Sequence, residues 1–222
     1  MSQNQMEVDW NRRAREDARK WITVGEDHAA FESGGVADCQ TLVSSLDGCV
    51  DREARVLEIG CGIGRLMKYM APYFQEVHGV DVSEEMVQQG RERLQAIPNV
   101  FFHKGNGQDL GVFPNNSFAL VYSYIVLQHI PRRWVYRYFP EVTRTLKPGG
   151  YFLFQLYRPE TIRHWVKYWL GVEKPDRDTV GIRRYSRSEI TRLVRGASLE
   201  LCWIKSVDRD VYFILARKSV VS

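Results

Sequence analysis

The sequence predicts an α/β fold: doubly wound, with a mostly parallel seven-stranded sheet, an antiparallel C-terminal hairpin and helices on both faces. Three observations carry this. Short β-rich runs alternate with helix-like stretches through the middle of the chain, the pattern of βαβ units. Those runs are largely apolar, as strands covered on both sides are. Two further β-rich runs close the chain around Asp208-Arg-Asp210, the signature of a hairpin.

In order, Arg55–Ile59 is the first strand and ends in glycines; a helix-like stretch runs from 65 to 72. The second strand is expected over 75–80. Ser83 then opens a helix whose first turn holds Glu84 and Glu85, where the helix dipole favours acids. Strands are expected over 100–103 and 118–124. Pro131 suits the first turn of the next helix, and Pro148-Gly-Gly150 ends it,. The fifth strand is expected over 151–157, and the hairpin strands over 199–205 and 211–216. Ahead of this core, 8–22 reads as a helix with Trp10, Ala14, Ala18 and Trp21 on one face,. Behind it, Ile162, Trp165, Val166, Trp169 and Leu170 repeat at helical spacing, followed by a charged loop over 171–185. Ser186-Arg-Ser-Glu189 is a capping box that starts a further helix,.

The chain has 222 residues, so it fits one domain at the large end of the range,. The expected layout is a helical cap over 1–49, a ligand-binding core over 50–157, an inserted helix and loop over 158–185, and a final helix and hairpin over 186–222. Apolar residues at 44% and charged residues at 26% exclude a disordered or fibrous chain,. Lys plus Arg (31) against Asp plus Glu (27) leaves +4. That surplus is too mild to indicate a nucleic acid or a membrane surface. The amino-terminal residues lack the apolar core of a secretory signal, and no uncharged run approaches the ~20 residues of a membrane span. The four cysteines form no CxxC pair and no zinc spacing with the histidines,, so reduced thiols and a cytoplasmic setting are expected.

The stretch Val56-Leu-Glu-Ile-Gly60-Cys-Gly62-Ile-Gly64-Arg65 carries the chemistry. Three glycines at every second position follow a buried strand, where a ligand can approach the backbone closely. The spacing is not that of a dinucleotide turn, because Arg65 holds the place of the third glycine and that glycine stands at 64,. No phosphate-binding GxxxxGK[ST] motif occurs. Asp81, at the tip of the second strand, is placed to accept hydrogen bonds from both hydroxyls of a ribose.

Taken together, Glu58-x-Gly60-x-Gly62-x-Gly64, Gly79-Val-Asp81-Val-Ser, Phe118-x-x-Val121-Tyr-Ser with Leu127-Gln-His-Ile130, and Leu146-Lys-Pro-Gly-Gly150 resemble the class I S-adenosylmethionine-dependent methyltransferases. Within that Rossmann-like superfamily the chain is most similar to the bacterial small-molecule enzymes. The resemblance covers roughly 50–157. It implies S-adenosyl-L-methionine as cofactor and S-adenosyl-L-homocysteine as product. It implies contacts to the methionine portion and ribose from Gly60, Cys61 and Gly62, a grip on the ribose from Asp81, and apolar contact to adenine from Val82 and Met86. Glu58, Gly64, Gly107, Gln108 and Tyr124 complete the expected cofactor set, with Asn106 at the position where the family usually has an Asp for the adenine amino group.

Methyl transfer from a sulfonium is an in-line displacement, and alignment of the acceptor is the protein's main task. His129, just past the fourth strand, is the candidate general base, because its ordinary pKa of about 6.5 suits proton removal near neutrality. The acceptor pocket is expected from the flanks: Trp10, Trp21, His28 and Phe31 on one side, Tyr157, Trp165, Tyr168 and Arg184 on the other. The motifs of amino-methylating DNA enzymes, of protein-arginine enzymes and of catechol-type magnesium sites are absent from the sequence. The expectation is therefore metal-independent transfer to a small organic acceptor, with nucleic acid disfavoured and oligomeric state open. Three alternatives stay open: methylation of RNA or protein, a nicotinamide-dependent oxidoreductase, and a binding module without turnover.

Overall fold

The computed structural model describes residues 3–22, 28–159, 181–208 and 210–220. Two helices lead, α1 (Gln3–Ile22) and α2 (His28–Leu46), before the first strand, β1 (Arg55–Ile59). There follow α3 (Met67–Met70) with a 3₁₀ turn over Ala71–Tyr73, β2 (Glu76–Asp81), α4 (Glu84–Arg93), β3 (Val100–Lys104) and β4 (Phe118–Ser123). A 3₁₀ turn over Leu127–His129, α5 (Arg132–Thr145) and β5 (Leu146–Tyr157) complete the core; α6 (Arg187–Gly196), β6 (Leu199–Asp208) and β7 (Val211–Lys218) close the chain.

The seven strands form one sheet in the order β3-β2-β1-β4-β5-β7-β6. β1 to β5 are parallel, and β7 runs antiparallel to both its neighbours. Strand order reverses between β1 and β4, and a crevice opens at the carboxyl ends of strands where such a reversal occurs. That reversal positions the site.

Successive strand residues point to opposite faces, so each strand feeds two cores. One face buries Leu57, Ile59, Val121, Phe152, Phe154 and Ile214 against α5 and α6, with Phe139, Val142, Ile190 and Val194 among the helix contributors. The other buries Val56, Val77, Leu120, Tyr122, Leu153 and Phe213 against Leu42, Met67, Met70 and Val87.

Local chemistry sets the helix ends. Ser83 Oγ accepts the Met86 N–H at 3.1 Å and caps α4, with Glu84 and Glu85 in the first turn. The capping box at Ser186 and Glu189 is formed in both directions. α1 begins earlier than its apolar pattern suggests and is interrupted at Asp17, whose φ and ψ of −173° and 100° are extended. The Asp17 carboxylate there accepts from the Arg19 and Lys20 amides. Only one turn of α-helix forms over 65–72, because Pro72 moves the end of that stretch into a 3₁₀ turn. β5 starts at Leu146, before the Pro-Gly-Gly, which sits within the strand at a register irregularity opposite β4. The expected helix near 162–170 and most of the loop after it lie outside the described residues.

α1 lies across the sheet's carboxyl edge and is tied down by polar contacts. Asn11 Oδ1 accepts from Ser83 Oγ at 2.7 Å and from the Glu85 amide at 3.2 Å. Gln89 donates to the Ala14 carbonyl, and Glu7 pairs with Lys104 at 3.0 Å. Ala14 and Ala18 bury their faces against Phe31, Ile63 and Met86.

Candidate functional site

The crevice at the β1–β4 reversal is a cleft of about 1020 Å³, part of it open to solvent. Its floor is the turn after β1. Gly60, Gly62 and Gly64 have φ of 76°, 52° and 76°, the left-handed region that favours glycine,. A Cβ at position 60 would fall 2.4 Å from Val126 Cγ1, so that side chain can lie against bare backbone. Gly60, Cys61 and Gly62 line the cleft; Gly64 does not. A Cβ at 64 would meet Phe102 at 2.5 Å and Leu94 at 2.8 Å, so this glycine serves the packing of β3 and α4.

Asp81 ends β2 at the cleft. Its two oxygens each accept one backbone amide, Oδ2 from Gly62 and Oδ1 from Ser83, both at 2.9 Å. Burial raises its pKa, an effect opposed by those same amides. The Val82 amide also stabilises the carboxylate, and a carboxylate offers about four acceptor positions, so acceptor capacity is left at the cleft that Asp81 lines. Next to the carboxylate stand Val82 and Met86 from the start of α4, Gly105 and Gly107 from the turn after β3, and Ile130 and Tyr138.

Glu58 lies beneath the glycine turn, buried, and accepts from Tyr122 Oη at 3.2 Å. Desolvation pushes its pKa up to about 8, so it carries a proton at neutrality. Burial also raises the Cys61 thiol, reinforced by Asp81 and Glu58, which makes it a poor nucleophile,. Arg65 is 5% exposed, lines the cleft and pairs with Asp38 at 2.7 Å. The other Asp38 oxygen accepts from Tyr124 Oη at 2.6 Å, so α2 and the β4 tip are tied to the same carboxylate.

The wall opposite the nucleoside side comes from Tyr124, Ile125, Val126 and His129. Ile125 has φ of 57°, and its amide donates to Gln155 Oε1 at 3.2 Å. The His129 carbonyl accepts from Arg183 Nη1 at 2.8 Å, which fixes the backbone of that turn. Met6, Trp10, Trp21 and Ile22 of α1 complete the lining, and the Arg13 guanidinium lies 4.0 Å from the Trp21 ring centroid.

Several expected residues lie elsewhere. Asn106 is exposed and its side chain is spent locally: Oδ1 accepts from the Gln108 and Asp109 amides, and Nδ2 donates to Asp109. Gln108 accepts from Arg137 at 3.3 Å, and neither residue lines the cleft. Phe31 is buried among Ala14, Ala18 and Met86, with the Arg93 guanidinium 5.3 Å away. Tyr157 and Arg184 pair as a β-bridge outside the cleft, and Arg184 donates to the Arg158 carbonyl. His28 begins α2, but its side chain, with Trp165 and Tyr168, lies outside the described residues. The lining residues missed by sequence reasoning are chiefly Met6, Ile22, Arg65, Ile125, Ile130 and Tyr138. Met6 stands four residues before Trp10, one helical turn, and that spacing is the signal that could have found it.

The residues present fit a nucleoside: a pinned carboxylate with acceptor capacity to spare, bare glycine backbone beside it, and apolar side chains flanking both. No helix among the described residues is long and apolar enough to cross a membrane.

Residues 56–150 match the family described as "Methyltransferase domain". The uncharacterised methyltransferase YcgJ of Bacillus subtilis is 37% identical over 111 residues, 49% of this chain and 43% of that protein. The phosphoethanolamine N-methyltransferase of Plasmodium falciparum is 27% identical over 61% of this chain and 50% of its own length. A fatty-acid O-methyltransferase of Mycolicibacterium smegmatis is 37% identical over 47% of this chain and 38% of its own. The chain thus spans half or less of the curated relatives it matches. Among solved structures, magnesium protoporphyrin IX methyltransferase of Synechocystis, with S-adenosylhomocysteine bound, superposes with a TM-score of 0.73 at 18% identity, over 98% of this chain and 100% of that one. That likeness shows a shared fold.

Proposed function

We propose that this chain, whose residues 56–150 match a methyltransferase domain, moves a methyl group from S-adenosylmethionine to a small-molecule acceptor bearing an oxygen, nitrogen or carbon nucleophile. One observation carries the reading: Asp81 is held by the Gly62 and Ser83 amides, with its remaining acceptor capacity turned to the cleft that the glycine turn opens.

When bound, the sulfonium supplies the reactive methyl, which the acceptor's lone pair takes as the carbon–sulfur pair leaves with sulfur. The chain's own part is binding and alignment. Asp81 receives the two ribose hydroxyls, while Val82 and Met86 give the adenine apolar contact. Gly60 and Gly62 let the methionine portion lie against backbone. Tyr124, Ile125 and His129 edge the side from which an acceptor arrives. His129 takes the acceptor's proton where the nucleophile carries one. Alignment of this kind is worth up to about 7–11 kcal/mol of barrier.

The segment after the glycine turn favours this reading over a dinucleotide: α3 is only Met67–Met70, too short a run to offer a pyrophosphate a helix terminus,. The named acceptors of the relatives, phosphoethanolamine and a fatty acid, support a small molecule.

Calorimetric titration with S-adenosylhomocysteine and with NADH tests the cofactor half; the expected result is saturable binding of the first alone. Incubation with the labelled-methyl cofactor and fractionated metabolites tests the acceptor half. Label appearing only in RNA or protein would overturn the small-molecule reading.

A further inference from the structure

We propose that the methyl acceptor is an uncharged, apolar molecule whose body packs between Trp21 of α1 and Ile125 of the turn after β4. The inference deepens the methyl-transfer reading above and rests on it. Both side chains line the cleft, and each is 36% exposed. Their sequence neighbours fix where the two walls stand. A Cβ at position 60 would fall 2.4 Å from Val126 Cγ1, and one at 62 would fall 2.9 Å from Ile22 Cδ1. The walls therefore meet the glycine turn two residues apart, over the stretch that by the cofactor reading carries the methionine portion and its sulfur.

Each wall is held in place by a buried polar group. Trp21 follows the extended residue Asp17, where the helix is interrupted, so the periodicity of α1 does not place it. Arg13 does. Its guanidinium lies 4.0 Å from the Trp21 ring centroid and 5.6 Å from that of Trp10, and its Nε and Nη2 donate to Asp9 Oδ2 at 3.3 and 3.1 Å. Arg13 is buried, and a desolvated cation is where such a ring contact is strongest. Ile125 is held at φ of 57° by the buried Gln155, whose Oε1 accepts its amide at 3.2 Å. That conformation costs a β-branched residue stability. Large apolar side chains fixed part-exposed at a concave surface mark a binding wall, and an apolar guest between them recovers the burial that the fold forgoes.

The charges point to a neutral guest. Among the described lining residues Arg65 is the one lysine or arginine, and Asp38 meets it at 2.7 Å. Glu58 keeps its proton through burial, and the Tyr124 hydroxyl is given to Asp38. Arg184, the residue expected to hold an acidic acceptor, lies outside the cleft. A carboxylate or phosphate drawn between Trp21 and Ile125 would lose hydration without gaining a cation there.

The test loads the full chain with S-adenosylhomocysteine and titrates it calorimetrically with 1-naphthol, 1-naphthoate and phosphoethanolamine. The first two share a ring system and differ in charge; the third carries charge without a ring. 1-Naphthol is expected to bind at least about 10-fold tighter than either of the others. Trp21→Ala should weaken 1-naphthol about 10-fold and Ile125→Ala about 3-fold, the scale of the apolar contact removed, with Trp21→Phe recovering most of the loss. S-adenosylhomocysteine should stay within twofold in all three variants, which also shows them folded. Tighter binding of 1-naphthoate or phosphoethanolamine overturns the proposal. So does the absence of 1-naphthol binding, or 1-naphthol affinity unchanged in both alanine variants. Equal weakening of 1-naphthol and S-adenosylhomocysteine overturns it too, because that marks a purely structural wall. Failure of wild type to bind S-adenosylhomocysteine sinks the cofactor reading and the proposal with it, and is seen before any acceptor probe is added.

Discussion

Two clusters of buried titratable groups branch from the same strand, β2, and they have opposite characters. On one side, His78 and His103 join at 2.9 Å, and His78 Nε2 meets Glu76 at 2.9 Å. Arg55 donates to that Glu76 oxygen at 2.6 Å. Arg55 Nη2 also lies 3.3 Å from His78 Nε2, so both ring nitrogens of His78 have neighbours within the cluster. Rings of Phe101, Phe113 and Phe118 enclose it. Three residues on, Asp81 belongs with Glu58, Tyr122 and Arg65, where acceptor positions stay open and a guanidinium nitrogen lacks a partner. Burial perturbs the pKa values in both clusters. Perturbation alone therefore marks burial. What marks a site is perturbation together with unspent hydrogen-bonding capacity at a concave surface.

The sharpest way to break this contrast is to remove one group from each cluster. By the proposed cofactor reading Asp81→Ala deletes the charge-assisted contacts to the ribose, and affinity for S-adenosylhomocysteine should fall at least about 100-fold by calorimetry. His103→Phe should leave that affinity within twofold, since its cluster faces no part of the cleft. Equal losses in the two variants would erase the distinction.

The clusters should also answer to pH with opposite signs. His103 is pushed down to about 4, chiefly by burial and next by His78. As pH falls from about 6.5 toward 4, the unfolded chain takes up a proton that the folded chain refuses, so stability is lost over that window. The loss attributable to His103 should be about 1–3 kcal/mol, allowing for its partial exposure. Glu58, raised to about 8, works the other way: its contribution is whole below about 4.5 and declines as pH climbs through 8,. Denaturant melts across pH 4–8.5 should show a shallower acid limb in His103→Phe and a shallower alkaline limb in Glu58→Gln. An acid limb unchanged in His103→Phe would mean that the histidine pair titrates normally.

The cleft was legible in sequence where chemistry permits few residue types. A backbone at φ of 76° and 52° at the floor of a cleft favours glycine, and a diol suits a carboxylate, so Gly60, Gly62 and Asp81 could be read from their types and spacing. The sheet was legible for a similar reason, since strands covered on both faces are largely apolar. Side-chain direction was not. Asn106 has the right type and place for an adenine contact, yet its own turn offers two amides nearer than any ligand. Arg65 was readable only as a departure from a glycine pattern; its partner Asp38 lies 27 residues away on a helix with little apolar periodicity and two internal glycines. Phe31 has an acceptor-like composition but is drawn into the α1–α2–α4 junction.

The smallest expected effect concerns strain at the edge of the cleft. Among the described residues, four that are not glycine adopt positive φ: Asp47, Asn116, Ile125 and Ser198. Asp, Asn and Ser tolerate that region through their short polar side chains, whereas a β-branched residue there is an outlier. Ile125 alone of the four is β-branched, and it edges the cleft with 36% exposure. Its conformation is imposed from outside: Gln155, buried on β5, accepts its amide and holds the turn after β4. Such a residue stores about 1–3 kcal/mol. Ile125→Gly releases the strain but also removes half-buried apolar surface and adds freedom to the unfolded chain. The net expectation is a gain of up to about 1 kcal/mol in denaturant unfolding, with cofactor affinity unchanged and methyl transfer slowed through loss of the acceptor wall. A loss of stability above about 1 kcal/mol would show that the side chain is there for packing and that the strained turn belongs to the scaffold.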